Sequence, residues 1–380
     1  MKSIPLVRKA PLATAISYLA GEGVPIRRHL SRAGLSGPSP DDLEALMPLH
    51  QLCDFLSSVA RAEGIDDLGF RIGGRLGIES LGVYGRLIAQ SVTIHEAILT
   101  SRALISSYNS GLEIWIERHS DQVRYCQKYS ANLPRDGIAE IVHLGLANAL
   151  AQGGARRGPD YQPTRIELAA DPIDLGPYVP GFGDLAVSFS QPQTSVWFDQ
   201  TWLSKPLPAL EPSHCPPADD NERALFDRTG PSTDPIGQLK QVIESALGHP
   251  RMSLQHAAAI IGTSARTLQR RLAERGLSFS GLLGRVRFAV AQRLLRDPEM
   301  LLTEIARRLG YSDLPNFIRA FKRWTGVGPN EFRRLHYDDG QEWPLKGDTM
   351  PSPGGRRVVW PCFDGGPDVF SANSPKPVRG

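Results

Sequence analysis

Long apolar runs are missing from this sequence. No stretch approaches the ~18 uninterrupted apolar residues that a membrane helix needs, so no membrane partner is expected. Cysteine is scarce: Cys53, Cys126, Cys215 and Cys362 lie far apart without paired-ligand spacing, which speaks against a disulfide frame or a thiolate metal site and suits thiols in a reducing cytoplasm. The nine histidines never form HExxH or a similar ligand spacing, so a lone one such as His95 or His143 reads as a capped or core residue. No phosphate-binding glycine loop occurs. The stretch GFGDLA (181–186) fits a dinucleotide fingerprint nominally, but Pro180 precedes it and no helical pattern follows. Carboxylates such as Glu140 and Asp184 find no partner from sequence alone. No nucleophile–base or metal constellation remains, so neither an enzyme nor a resident cofactor is expected. The N-terminus is not a secretory signal either: Arg8 and Lys9 interrupt its short apolar run, and the amphipathic pattern continues into Arg27 and Arg28.

Charge of one sign is lacking overall, with 43 Lys and Arg against 40 Asp and Glu, yet it is unevenly placed. Between Arg251 and Arg334 there are 16 basic residues against 6 acidic ones, which leaves the rest of the chain mildly acidic. At 380 residues the chain is long enough for two domains with real cores. The expected fold class is α+β: a mixed α/β N-terminal domain over 1–205, then an all-α domain over 235–335 with two helix-turn-helix units. Residues 206–234, rich in proline, read as a linker, and 336–380, rich in proline and glycine, as a disordered tail on which Trp343 or Trp360 docks locally.

Punctuation bounds each helix of the basic region. Asp234 caps and Pro235 opens the first, with Ile236, Leu239, Val242, Ile243 and Ala246 on one face, and Gly248 and Pro250 stop it. Ser253 caps a short helix burying Leu254, Ala258 and Ile261; Gly262-Thr263 turns; Ser264 caps a second with Leu268 and Leu272 inside, ended by Gly276. Ser280 opens a long helix with Leu283, Val286, Val290 and Leu294 inside, closed by Asp297-Pro298. Thr303 then begins a short helix with Ile305, Ala306 and Leu309. Gly310-Tyr311 turns, Asp313 caps, Pro315 sits in the first turn, and Phe317, Phe321 and Trp324 form an inner stripe ended by Gly326. The pattern therefore occurs twice, about 48 residues apart.

Outward residues decide what such units do. On the first second-helix they are Ala265, Arg266, Gln269 and Arg270; on the other, Leu314, Asn316, Ile318, Arg319 and Lys322. Arg suits guanine, Gln and Asn suit adenine, and small apolar groups suit the thymine methyl. Lys322, Arg323, Arg271, Arg307 and Arg308 suit phosphates. One Arg-rich helix is more often a solvated face of a bundle; two, each behind a short helix and a glycine turn, favour double-stranded DNA as partner.

The stretch IARRLGYSDLPNFIRAFKRWTGVGPNEFRR (305–334) resembles the DNA-binding domain of the AraC/XylS transcription regulators, through Ile305-Ala306, Gly310-Tyr311, Phe317, Phe321-Lys322-Arg323, Gly326, Pro329 and Phe332-Arg333. SLQHAAAIIGTSARTLQRRLAERG (253–276) fits the same family's first unit through Ser264, Leu268, Gln269, Arg270 and Leu272. The resemblance implies base contacts from Arg266, Gln269 and Arg270, and from Leu314, Pro315, Ile318 and Arg319. Two departures stand out: Gly328, where the family usually has Ser or Thr, and Leu314-Pro315, where polar residues are common.

The N-terminal region shows helical periodicity over 41–63 and 136–152 and strand-like alternation over 112–118, 122–128, 164–168 and 194–198. FRIGGRLGIESLGVYGRLIAQSVTIHEAI (70–98) resembles the effector domain of an AraC branch that includes ornithine-utilisation-type regulators, through Gly82, Gly85, Ser91, Thr93, Glu96 and Ala97. That resemblance implies a small-molecule effector, a homodimer, promoter or operator DNA, and RNA polymerase as a further partner. The expectation is therefore a sequence-specific, effector-controlled DNA-binding regulator; the alternative is a ligand-independent regulator or architectural DNA-binding protein.

Overall fold

The computed structural model describes residues 3–35, 43–75, 77–130, 133, 135–157, 163–172, 185–211, 213, 215–248, 252–337, 349–351 and 357–359. Residues 181–184 of the GFGDLA stretch, and Pro250, Trp343, Trp360 and Cys362, lie outside them. Residues 2–241 and 242–380 form two compact units.

The first unit runs β1 (Leu6–Arg8), α1 (Ala10–Gly21), α2 (Ile26–Ala33), β2 (Leu46–Pro48), α3 (Leu49–Glu63), α4 (Leu68–Arg75), a 3-10 turn Ile78–Leu81, α5 (Gly82–Ala89), α6 (Ile94–Tyr108), β3 (Leu112–His119), β4 (Gln122–Tyr129), α7 (Arg135–Arg157), β5 (Arg165–Glu167), β6 (Ala186–Ser188), β7 (Thr194–Asp199), a 3-10 turn Gln200–Ser204, and α8 (Asp220–Arg228). A five-stranded sheet has the order β3-β4-β7-β5-β6, antiparallel except for the β5–β6 pair. Alternation along the strands separates its faces. Val123, Val196 and Phe198 are buried with Phe70 of α4, Ile94 and Ile98 of α6 and Val142 and Leu146 of α7. On the opposite face the register sets Arg124 across from Glu117 and Trp197, and its guanidinium pairs with Glu117 at 3.1 Å and Glu167 at 2.5 Å.

Two expectations change here. Of the helix expected over 41–63, residues 41 and 42 lie outside the described residues, and the described part starts at Leu49, because Leu46–Pro48 pair antiparallel with Leu6–Arg8 and Pro48 is extended (φ −61°, ψ 128°). The stretch 206–234, expected as a linker, carries α8 and lies within the first unit. Asp219 and Glu222 form a reciprocal capping box at its start, Glu222 pairs with Arg86, and Phe226 is buried beside Leu81, Tyr84 and Leu104. The Asp219-x-x-Glu222 spacing was the legible signal; the prolines around it obscured it.

In the second unit, α9 (Pro235–Ser245), whose residues straddle the division, is followed by α10 (Leu254–Ile260), α11 (Ala265–Ala273), α12 (Phe279–Leu294), α13 (Leu302–Arg308), α14 (Leu314–Thr325) and α15 (Pro329–Tyr337). Ser278, not Ser280, caps α12, accepting from the Gly281 N–H at 3.1 Å. The buried face of α12 is Leu282, Val286, Phe288 and Ala291, whereas Leu283, Val290 and Leu294 are half-buried. The cause is Phe288, which meets Phe321 and Trp324 at centroid distances of 5.9 and 5.6 Å and so sets which side of α12 turns inward. In α10 the buried residues are Ala257, Ala258 and Ile260, with Leu254 and Ile261 only half-buried. Within 336–380, expected to be disordered, the described residues include an antiparallel pair, β8 (Thr349–Pro351) and β9 (Arg357–Val359), as β-formers such as Thr349 and Val358-Val359 favour. Among the described residues no helix is long and apolar enough to cross a membrane.

Candidate functional site

The two helix-turn-helix units are built by the same local device. Gly262 after α10 and Gly310 after α13 take φ of 66° and 72°, a left-handed conformation that side chains resist. The next residue then closes the turn alike in both: the Thr263 N–H donates to the Ala258 carbonyl at 2.9 Å, and the Tyr311 N–H to that of Ala306 at 3.0 Å. Ser264 Oγ caps α11 through the Thr267 N–H, and Asp313 Oδ1 caps α14 through the Asn316 N–H at 2.7 Å. Behind α14, Phe321 meets Phe332 of α15 edge-on at 5.2 Å, and Phe288 of α12 meets Phe321 at 5.9 Å and Trp324 at 5.6 Å, which fixes that helix to α12 and α15.

Arg266, Gln269 and Arg270 are exposed on α11, and Arg270 Nη1 lies 3.4 Å from Glu274 Oε1 one turn on. On α14, Pro315, Arg319, Lys322 and Arg323 are exposed, and Leu314, Asn316 and Ile318 half-buried. Asn316 and Arg319 are brought together: Arg319 donates to Asn316 Oδ1 at 2.6 Å, while Asn316 Nδ2 donates to Asp313 at 2.6 Å and Ser312 at 3.1 Å. Arg307 and Arg308 share Glu304, whose carboxyl their hydrogen bonds pull down to about 2. Two arginines brace the second helix-turn-helix unit against its flanking helices. Arg287 on α12 lies 4.6 Å over the Tyr311 ring and donates to the Gly310 carbonyl, and Arg333 donates to the carbonyls of Leu295 and Met300. Sequence offered no way to separate these from the outward-facing arginines, because both sit on helices at unremarkable spacings.

The first unit contains a cavity of about 180 Å³ among α5, α6, α7 and the inner sheet face. Its described lining is mostly Leu, Ile, Val and Phe and includes no Asp, Glu, Lys, Arg or His. The Tyr84 and Tyr108 rings stack at 4.4 Å, and Tyr84 Oη lies 2.5 Å from Ser101 Oγ. Burial pushes both phenols up, so they stay protonated. Tyr108 Oη and Gln127 Oε1 are buried without a hydrogen-bond partner. Of the family-like residues of 70–98, Ala97 lines the cavity and the others shape the elements around it: a side chain at Gly85 would strike the Ile78 carbonyl, Thr93 Oγ1 caps α6 by accepting the Glu96 N–H at 3.2 Å, and the Glu96 carboxylate accepts the Val92 N–H at 2.8 Å. Beside the cavity, α7 presents two buried titratable groups to α4. Glu140 accepts the Gly69 N–H at 2.7 Å, and burial raises its carboxyl to about 7; His143 stacks on Phe70 at 4.8 Å, and burial lowers it to about 4.

Two family models match the chain. A helix-turn-helix domain matches residues 257–335, and the arabinose-binding domain of AraC transcription regulators, N-terminal, matches 23–207. Among relatives, an uncharacterised HTH-type transcriptional regulator of Mycobacterium tuberculosis is 25% identical, over 82% of this chain and 92% of that protein. The ornithine utilization regulator of Pseudomonas aeruginosa is 28% identical over 70% of this chain and 78% of its own length. The solved structure of the transcriptional regulator CdpR from Pseudomonas aeruginosa is similar at 21% identity and a TM-score of 0.40, covering 86% of this chain and 98% of that one.

Proposed function

Since this chain belongs to the AraC/XylS family of DNA-binding transcription regulators, we propose that it reads two successive major grooves of promoter or operator DNA with α11 and α14, under control of a small molecule held in the N-terminal unit. The observation that carries the first part is the pair of capped, outward basic helices set behind matching left-handed glycine turns. Arg266, Gln269 and Arg270 contact bases from α11, with Arg270 leaving Glu274 for guanine. Leu314, Pro315, Ile318 and Arg319 contact bases from α14, Asn316 orienting Arg319, while Lys322 and Arg323 take phosphates. The cavity supports the second part, since a recessed, largely apolar space is what a small effector fills. Control then requires that the effector bind the DNA-competent arrangement more tightly than the other. The family resemblance adds a homodimer as the working form and RNA polymerase as a partner.

The test is a footprint of the purified chain on its own upstream DNA across a salt series. A protected site of about two helical turns per protomer, outcompeting random DNA by ~10³ or more, is expected. Protection without sequence preference that vanishes steeply with salt overturns the proposal in favour of architectural binding.

A further inference from the structure

We infer that Asp313, acting through the side-chain amide of Asn316, is a positioning residue for Arg319, so that α14 reads a guanine where Arg319 lands and Asn316 reads no adenine of its own. The inference rests on the base-reading role proposed above for α14.

The three side chains, spaced three residues apart, form a chain of hydrogen bonds at the start of α14. Asp313 Oδ1 accepts the Asn316 N–H at 2.7 Å, which caps the helix, while its Oδ2 accepts Asn316 Nδ2 at 2.6 Å and the Ser312 hydroxyl at 2.9 Å. Asn316 Nδ2 also donates to Ser312 Oγ at 3.1 Å. The other arm of the amide, Oδ1, accepts Arg319 Nη2 at 2.6 Å.

This arrangement fixes which way the amide points. Turned over, its amino group would face the guanidinium, donor against donor, and its oxygen would face the Asp313 carboxylate. Both amide hydrogens are therefore spent within the protein. A bidentate contact with adenine takes an amide donor for N7 together with an acceptor for the N6 amino group, so Asn316 has no donor left to offer it. Arg319 gives up only one of its N–H groups and keeps a fork for guanine O6 and N7. Hydrogen bonds from the Asn316 N–H and the Ser312 hydroxyl hold the Asp313 carboxyl below the usual carboxylate range, so the chain keeps its charged end at neutral pH.

The other reading helix supplies a contrast within the same molecule. Ser264, Thr267 and Arg270 stand on α11 where Asp313, Asn316 and Arg319 stand on α14, at the cap and three and six residues beyond it. Ser264 Oγ accepts the Thr267 N–H and donates to Thr267 Oγ1 at 2.8 Å, but Arg270 turns away to Glu274 at 3.4 Å. Arg319 is thus oriented before DNA arrives, whereas Arg270 gives up side-chain freedom on binding.

The experiment is selection of duplexes from a randomised library by the full chain and its variants, with base preferences read by sequencing. Wild type should enrich a site containing a guanine whose preference disappears in Arg319→Ala. Asn316→Ala and Asp313→Ser should each relax that preference about two- to tenfold while leaving other positions alone. Serine is itself a favoured cap, so Asp313→Ser should melt with the wild type. Thr267→Ala should leave the base read by Arg270 unchanged. With a guanine assigned to Arg319, three results overturn the inference alone: full preference for it in both variants, equal weakening of all sequences as loss of a merely structural cap would give, or loss of an adenine in Asn316→Ala. If Arg319→Ala leaves every preference intact, base reading by Arg319 falls, and the inference falls with it.

Discussion

The guanidinium of Arg8 lies 4.1 Å over the ring of Phe226, and its Nη2 donates to the Phe226 carbonyl at 2.6 Å. Arg8, 1% exposed, thereby fastens α8 to β1, and it also reaches the carbonyls of Ser107 at 3.0 Å and Glu44 at 2.7 Å. Buried charge of this kind is tolerated because nearly every donor is satisfied. Arg8→Met leaves several buried carbonyls unpaired and should lower stability by roughly 2–4 kcal/mol, read from the denaturant midpoint. Limited proteolysis gives the second readout. The wild-type chain should resist cleavage within 220–228 and the variant should not; equal cleavage of both would mean that this segment behaves as a linker after all.

On the DNA side, Arg270→Ala or Arg266→Ala should cost ~1–3 kcal/mol of specific affinity and relax preference at one base position. Lys322→Ala should weaken all sequences alike and flatten the salt dependence by about one unit of slope. Competition binding against operator and random DNA checks both. Unchanged specific and nonspecific affinity in Arg270→Ala would remove α11 as a reading helix.

Glu140 and His143 oppose each other in pH. The raised carboxyl of Glu140, near 7 in the fold against 4.5 unfolded, contributes stability that is complete below about 4.5 and lost as pH rises through 7. The lowered imidazole of His143, near 4 against 6.5, contributes stability complete above about 6.5 and lost as pH falls through 4. Across pH 4.5–6.5 the two slopes therefore offset one another. Glu140→Gln, which keeps an acceptor for Gly69, should leave a stability that climbs with pH over that window, and His143→Leu one that declines. Thermal unfolding at stepped pH measures this; parallel profiles in wild type and both variants would refute it.

Phe321 is fully buried among Phe288, Phe317, Trp324 and Phe332. Phe321→Ala should destabilise the C-terminal unit by about 3–5 kcal/mol and abolish footprinting. A variant that still footprints at wild-type affinity would show that α14 does not need this cluster.

Much of the DNA-binding unit was legible because its signals are local. Cap, glycine and apolar stripe lie within a few residues of one another, so Ser264, Gly310 and Asp313 could be assigned from the chain alone. Strand alternation in 112–118 and 122–128 was equally local, and it marked both members of the β3–β4 pair. What the tertiary structure decided is long-range. It turned Phe288 rather than Val290 inward on α12, drew the proline-bordered 220–228 onto Arg8, and set β7 between β4 and β5. It also engaged Arg287 and Arg333 with loop carbonyls while leaving Arg266 and Arg319 facing out. A periodic pattern specifies the face of its own element, but the partner that covers that face comes from residues scores of positions away, chosen by packing and by which buried polar atoms must be satisfied.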